Sequence, residues 1–143
     1  PDNNGQATAR SINKALSDAD TQPGLIDLAA PQGLGTLIHD AAEMAGWNAV
    51  FGERLSTFPA LTSRGSVGNC GAGAGAIDFS AMVLALYRNT IPPSLNTDQP
   101  DSVCKFCFAQ RDPKDRPVQQ AVSTASAMSG GQSAALVVRR FSE

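Results

Sequence analysis

The sequence predicts an α/β domain whose helices and strands alternate before the chain closes on β structure. Three observations predict it. Apolar residues recur at helical spacing in three stretches, 7–16, 37–51 and 77–87. Short apolar runs at 25–30 and 59–63 lie between them, next to Pro and Gly, and read as strands. Beyond residue 103 three further segments read as strands, which gives the order helix, strand, helix, strand, helix, strand, strand, strand.

In the first helix Ala9, Ile12, Ala15 and Leu16 share one face, and polar and breaker residues from Asp18 to Gly24 end it. After the turn Pro31-Gln32-Gly33-Leu34-Gly35, Thr36 stands where it can cap the second helix, with His39 and Asp40 in the first turn. Leu37, Ile38, Ala41, Met44, Trp47 and Phe51 mark its core-facing stripe, and Gly52 stops it. The third helix follows the run Gly68-Asn69-Cys70-Gly71-Ala72-Gly73-Ala74-Gly75-Ala76. It is apolar on nearly every side, so burial is expected. Each glycine in a helix costs about 1 kcal/mol. Gly71, Gly73 and Gly75 are therefore expected to permit a close approach, either tight backbone packing or a ligand. Ile91-Pro92-Pro93 cannot continue the helix. A polar loop over 94–102 leads to strands at 103–109, 121–128 and 133–141, the last two joined by the hairpin turn Ser129-Gly130-Gly131-Gln132.

Length and composition narrow the classes. At 143 residues the chain is expected to be a single domain, 1–143, or half of a larger one. Apolar residues make up 42% and charged residues 17%, enough for a core. Aromatics are only 6%, so small residues must fill much of it. With eleven Lys and Arg, a net charge of −2 and no basic stripe, nucleic acid is not expected as a partner. No apolar run approaches the roughly 20 residues of a membrane helix, and the N-terminus is not a secretory signal. Three cysteines form no even framework, which suggests a reducing compartment and a cytoplasmic protein. The chain opens on Pro1 without Met, as a trimmed or proteolytic piece of a longer protein would.

Local motifs give no mechanism by themselves. Cys104-Lys105-Phe106-Cys107 is a CxxC, but zinc needs four ligands and no second pair exists. Placed in a strand, its two thiols would face opposite ways, so both read as structural. Residues 71–76 satisfy GxGxxA, the dinucleotide fingerprint, but no acid follows about 20 residues on. Tight helix packing is the reading preferred there. His39, the one histidine, reads as a solvated helix residue.

Longer stretches carry a resemblance. The glycine-rich segment, its continuation through Val83-Leu84-Ala85-Leu86 and the loop Ile91-Pro92-Pro93-Ser94-Leu95-Asn96 resemble the β-ketoacyl-ACP synthase family. So do Ile26-Asp27 through Glu43, the first helix, and the hairpin Ser129-Gly130-Gly131-Gln132-Ser133. The resemblance spans the chain in order. It implies the C-terminal half of a thiolase-like fold, a mixed sheet packed by helices with a buried Gly/Ala-rich helix. The N-terminal half, with the family's nucleophilic Cys, would be absent.

The departures bear on activity. The family's first catalytic His aligns with Gln32, its Lys with Arg64 and its second His with Asn69. Its pantetheine-contacting Thr aligns with Leu34, while Thr36 is kept. Its gating Phe aligns with Ser129, and its following Asn with Ser133. The resemblance thus implies motif-equivalent positions at Gln32, Arg64 and Asn69, and substrate-binding positions at Thr36, Ser129, Gly130 and Gly131. Condensing enzymes stabilise charge on a thioester oxygen with N–H donors, which Gln and Asn also carry. An amide cannot take and return a proton as imidazole does, a contribution worth typically 10²–10⁴-fold. Asn69 is also a favoured helix cap, and Arg64 could be solvated or paired with an acid. The implied protein is an impaired condensing-enzyme homologue like a chain-length factor, without a cofactor. Its partners would be an acyl carrier protein and a ketosynthase-like subunit or a second copy. The alternatives are an active acyl transferase with a Gln/Asn oxyanion site, or a nucleotide-binding module.

Overall fold

The computed structural model describes residues 4–109, 114–115, 117–128 and 131–141. Among these residues α-helices lie at Gln6–Asp18 (α1), Leu37–Phe51 (α2), Arg64–Val67 (α3) and Ala74–Arg88 (α4). Strands lie at Leu28–Ala30 (β1), Pro59–Ala60 (β2), Thr90–Ile91 (β3), Cys107–Phe108 (β4), Lys114–Asp115 (β5), Gln120–Ser126 (β6) and Ser133–Arg139 (β7). Five of them form one sheet in the order β4-β2-β1-β6-β7. β1, β2, β4 and β6 run parallel, and β6 pairs antiparallel with β7 from Gln120↔Arg139 to Ser126↔Ser133. The short pair β3-β5 stands apart. The mixed sheet packed by helices agrees with the predicted fold class.

Side-chain alternation in the parallel strands divides the core into two layers. Ala29, Ala60 and Val122 join Ile12, Leu16, Trp47 and Phe51 of α1 and α2 on one face. Leu28, Ala30 and Ala121 join Met82, Ala85 and Leu86 of α4 on the other. Despite the low aromatic content, rings concentrate in the first layer. Trp47 lies 5.3 Å from Phe51 and 5.4 Å from Phe106 between ring centroids.

Close packing by glycine occurs, but not where the sequence suggested. A Cβ on Gly46 of α2 would lie 2.6 Å from Thr8 Cβ and 2.7 Å from Gly5 O, so this glycine sets the approach of α1. A Cβ on Gly65 would lie 2.0 Å from Leu95 O. By contrast Gly71 and Gly73 face open space, and Gly75 makes only an ordinary 3.6 Å contact with Ala125. The expectation of tight packing along the 71–76 run is therefore corrected. Burial of α4 is corrected too. Its Ala74, Asp78, Met82, Ala85 and Leu86 face is buried, but Leu84 and Tyr87 are 57% and 73% exposed, and Phe79 and Val83 share that open side. The sheet covers one face of this helix, and the other stays open among the described residues.

Three strand boundaries also differ. Only Cys107–Phe108 of 103–109 pairs, so Cys104 lies outside the strand. The runs at 25–30 and 59–63 shorten to three and two residues, the first preceded by a 3-10 turn at Pro23–Leu25. Short parallel pairings depend on neighbours distant in sequence, which local apolar pattern does not report. α3 and the β3-β5 pair had no sequence signal. No helix among the described residues is long and apolar enough to cross a membrane.

Candidate functional site

The loop from β1 to α2 carries Gln32 and is held from beneath by one carboxylate. Glu43, on the second turn of α2, accepts the Gln32 backbone N–H at 2.7 Å on Oε1 and that of Gly33 at 2.9 Å on Oε2. The Thr124 hydroxyl donates to Oε1 at 2.8 Å, and Trp47 Nε1 donates to Thr124 at 3.1 Å. Burial pushes the Glu43 pKa above its ordinary value, against the lowering effect of these hydrogen bonds. Gly33 and Gly35 sit at φ +57° and +75°, which lets the chain reverse over the carboxylate.

The Gln32 side chain is used in the same framework. Its Nε2 donates to Ser126 O at 3.1 Å, and its Oε1 accepts the Ser126 N–H at 2.9 Å. The carboxamide thus prolongs the β1–β6 pairing by one step beyond Ala30↔Ser123. Its carbonyl is consumed and its plane is fixed by the backbone of β6.

Asn69 stands differently. Its Oδ1 accepts the Gly71 N–H at 3.0 Å, an Asx turn in an exposed segment. Cys70 is the N-cap of the short 3-10 turn Gly71–Gly73 and Gly73 that of α4, neither with a side-chain capping bond, so the capping role expected of Asn69 is corrected to this local turn. The Asn69 Nδ2 has no hydrogen-bond partner among the described residues.

Arg64 is paired rather than solvated. Its Nη2 lies 2.7 Å from Asp78 Oδ2, with the two side chains 9% and 3% exposed. Ser63 Oγ donates to Asp78 Oδ1 at 2.5 Å, and Arg64 Nε is buried without a partner among the described residues. The loop quoted earlier as Pro92-Pro93-Ser94-Leu95-Asn96 clamps this segment. Ser94 Oγ accepts the Thr62 N–H at 3.1 Å, and Asn96 Nδ2 donates to Gly65 O at 3.2 Å.

Thr36 occupies the N-cap position of α2, but its hydroxyl does not cap the helix. It bonds instead to His39 Nδ1 at 2.8 Å, while His39 Nε2 lies 3.4 Å from Met128 O. The reading of His39 as a solvated residue is thereby corrected. Ser129 and Gly130 lie outside the described residues. The predicted hairpin is closed around them by Ala127 N–H to Gln132 O at 2.9 Å.

These residues divide between two cavities. Thr36, Arg64 and Asn69 line an open cleft of about 610 Å³ with Gly33, Leu34 and Leu95. Gln32 and Gly131 line a smaller cavity of about 60 Å³ with His39 and Ser133. Leu34, Asp40 and Glu43 form the wall between them. Gln32 and Asn69, the two positions where the family resemblance calls for an imidazole, thus line different cavities. Cys104 borders the cleft, and burial raises its thiol pKa. All three cysteines are free, and no group of three or more His, Cys, Asp or Glu that could hold a metal occurs among the described residues.

The mixed sheet with helices on both faces, the clamped Arg–Asp pair and the anchored β1–α2 loop belong to a thiolase-like α/β fold, the class to which the similar solved structures also belong. The matched family is specific: residues 1–98 fit the model of the β-ketoacyl synthase C-terminal domain, and the chain belongs to that family. It is 33% identical over 133 residues, 93% of its length, to a putative polyketide β-ketoacyl synthase 1 of Streptomyces cyaneus, of which it covers 32%. Among solved structures it is similar to the ishigamide ketosynthase/chain length factor, with a TM-score of 0.87 at 25% identity over 97% of this chain and 34% of that one. A ketosynthase described as bound to the hexaketide, in complex with its type II acyl-carrier protein, matches at a TM-score of 0.87, 25% identity, 98% of this chain and 34% of that one. The chain thus spans about a third of the length of these relatives.

Proposed function

We propose that this chain is the C-terminal half of a cytoplasmic β-ketoacyl synthase-like protein of polyketide or fatty acid biosynthesis, and that the protein is impaired in condensation. It acts as a chain-length-factor-like partner of an active ketosynthase, or within a homodimer, on acyl groups delivered by an acyl carrier protein. The observation that carries this reading is the two-point bond of the Gln32 carboxamide to the Ser126 backbone. Where the family resemblance calls for an imidazole, the side chain serves the sheet, and no group at that position can exchange a proton near neutral pH. The family membership and the relatives named as polyketide synthases support the pathway. Within this reading residues 1–143 form one domain, and the open face of α4 is covered by the N-terminal half of the same fold. An apolar helix face of this kind marks an interaction surface.

The test is condensation of a malonyl-carrier thioester by the purified full-length protein, with and without an active ketosynthase companion. No product is expected from the protein alone. Robust turnover without the companion would overturn the proposal. A second reading, an active enzyme with amide oxyanion donors, is favoured by the unpartnered Nδ2 of Asn69 in the cleft. Under it Gln32→Ala would lower kcat by about 10²–10³, whereas the impaired-partner reading expects that variant to leave the background rate unchanged.

A further inference from the structure

We infer that the cleft has an apolar arm between α2 and the segment leading into β4, and that this arm binds a neutral alkyl chain. Leu37, Ala41 and Met44 form one wall, at the i, i+4, i+7 spacing of a single helix face. The segment before β4 and the strand itself supply Val103, Phe106 and Phe108. Leu37 and Val103 are 80% and 53% exposed, so large apolar groups stand open to water along the arm. The inference does not rest on the proposed loss of condensation, because holding a chain involves no reaction.

The arm is preformed. The Lys105 N–H reaches Met44 Sδ at 3.3 Å, and Lys105 Nζ lies 3.2 Å from Glu53 Oε1, which ties the segment to α2 and to the turn that follows it. Asp101 folds the same segment on itself. Its Oδ1 accepts the Val103 N–H at 3.0 Å, and its carbonyl accepts the Cys104 N–H at 2.9 Å. A preformed apolar pocket with few polar groups is the usual form of a small-molecule site. The arm lies on the sheet face that carries α1 and α2, since Met44, Phe106 and Phe108 pack in that core layer. A neighbour seated on the open face of α4 would sit on the opposite side of the sheet and leave the arm free.

Charge selects the occupant. Asp40 and Asp101 line the cleft, and Arg64, the one basic side chain lining it among the described residues, is already paired with Asp78. A free carboxylate on the chain would meet like charges and no available cation. A neutral chain gains the apolar contact without that cost, and the flexible Met44 thioether adapts to its shape. The class is therefore a chain in ester or thioester linkage, or an alcohol, rather than a free fatty acid.

The test is the rate at which N-ethylmaleimide alkylates Cys104, which borders the cleft, in the full-length protein, read by peptide mass spectrometry. The probes are octanol and octanoate at mildly alkaline pH, the same chain length without and with a charge. At about ten times its dissociation constant, octanol should slow Cys104 about tenfold, because only the unoccupied fraction reacts. Cys70, exposed and outside the lining of the cleft, should keep its rate. Octanoate should bind at least about 3-fold more weakly, as screened like-charge repulsion allows. Ala41→Phe, at an exposed helix position where folding is little affected, should fill the arm and abolish octanol binding in calorimetric titration. The inference is overturned if Cys104 does not react in the free protein, or if octanol leaves its rate unchanged or slows Cys70 equally. It is also overturned if octanoate matches octanol, or if Ala41→Phe binds octanol as the wild type does. Neither probe is a thioester, so these failures leave the proposed function standing, and condensation by the protein alone would overturn that function without touching the arm.

Discussion

The β1–α2 loop and the glycine-rich entry to α4 each carry an amide where the family resemblance calls for an imidazole, and the two amides have opposite fates. Gln32 sits above a carboxylate that takes two backbone N–H groups, and its own side chain is bonded at both ends to Ser126. Asn69 makes one local bond to Gly71, and two of the glycines after it face open space. The same chemical replacement is thus structural in one place and leaves a donor in the cleft in the other. What an amide can do depends on whether the surrounding backbone already satisfies it.

The largest expected effect would break the second region at its root. Asp78 is the buried partner of Arg64, at the start of the segment that leads to Asn69. Asp78→Ala leaves an uncompensated guanidinium with a Nε that is already without a partner among the described residues. A loss of about 3–5 kcal/mol in urea denaturation is expected. A loss below about 1 kcal/mol would mean that water reaches the guanidinium and that the two regions differ less in burial than their geometry indicates.

Breaking the first region costs somewhat less, because part of its framework is backbone. Glu43→Gln turns an amino group toward either the Gln32 or the Gly33 N–H and forfeits one bond or both. About 1–3 kcal/mol is expected, with loosening confined to residues 31–35 in hydrogen exchange. The effect depends on pH with a definite sign. Burial raises the Glu43 pKa, so the folded state holds this proton more tightly than the unfolded chain does. The stability Glu43 contributes is fully present below the ordinary value of 4.5 and is lost as pH rises through the raised folded value. The gap between wild type and Glu43→Gln should therefore narrow as pH rises. A gap that widens would show that the hydrogen bonds outweigh desolvation.

How much of this was legible before the structure follows from the same contrast. Periodicity placed α1 and α2 closely, because an apolar stripe at helical spacing is a local property. The anchor under Gln32 joins residues far apart, Glu43, Thr124 and Ser126, and nothing in the local pattern of any one of them reports the others. Glu43 was visible only as a motif acid and Thr124 only as one of several hydroxyl residues in a strand-like run. The open face of α4 reads in sequence like a buried one, since apolar residues awaiting a partner look the same as residues that already have one. Arg64 could be placed next to an acid in principle, but Asp78 lies 14 residues away and across two turns of chain. His39 is an i, i+3 neighbour of Thr36 in the sequence, but its second contact, Met128, lies on the far hairpin, which no local spacing reports.

The smallest expected effects separate conformation from contact within the glycine run itself. Gly71 has φ +56°, where an L side chain is strained, while nothing lies within 4 Å of the position a Cβ would take. Gly71→Ala should cost about 1–2 kcal/mol from the backbone alone. Gly73 has the same open surroundings but φ −78° and ψ −12°, within the helical region. Gly73→Ala should leave stability unchanged or raise it by up to about 1 kcal/mol, because alanine restricts the unfolded chain and favours the helix. The pair is read by urea midpoints on the same protein, since neither substitution touches another residue. Destabilisation by Gly73→Ala that matched Gly71→Ala would reveal a close neighbour above the run. The N-terminal half of the fold is the candidate for that neighbour, so the comparison also tests whether the glycines of this segment are kept for a surface that the chain does not itself supply.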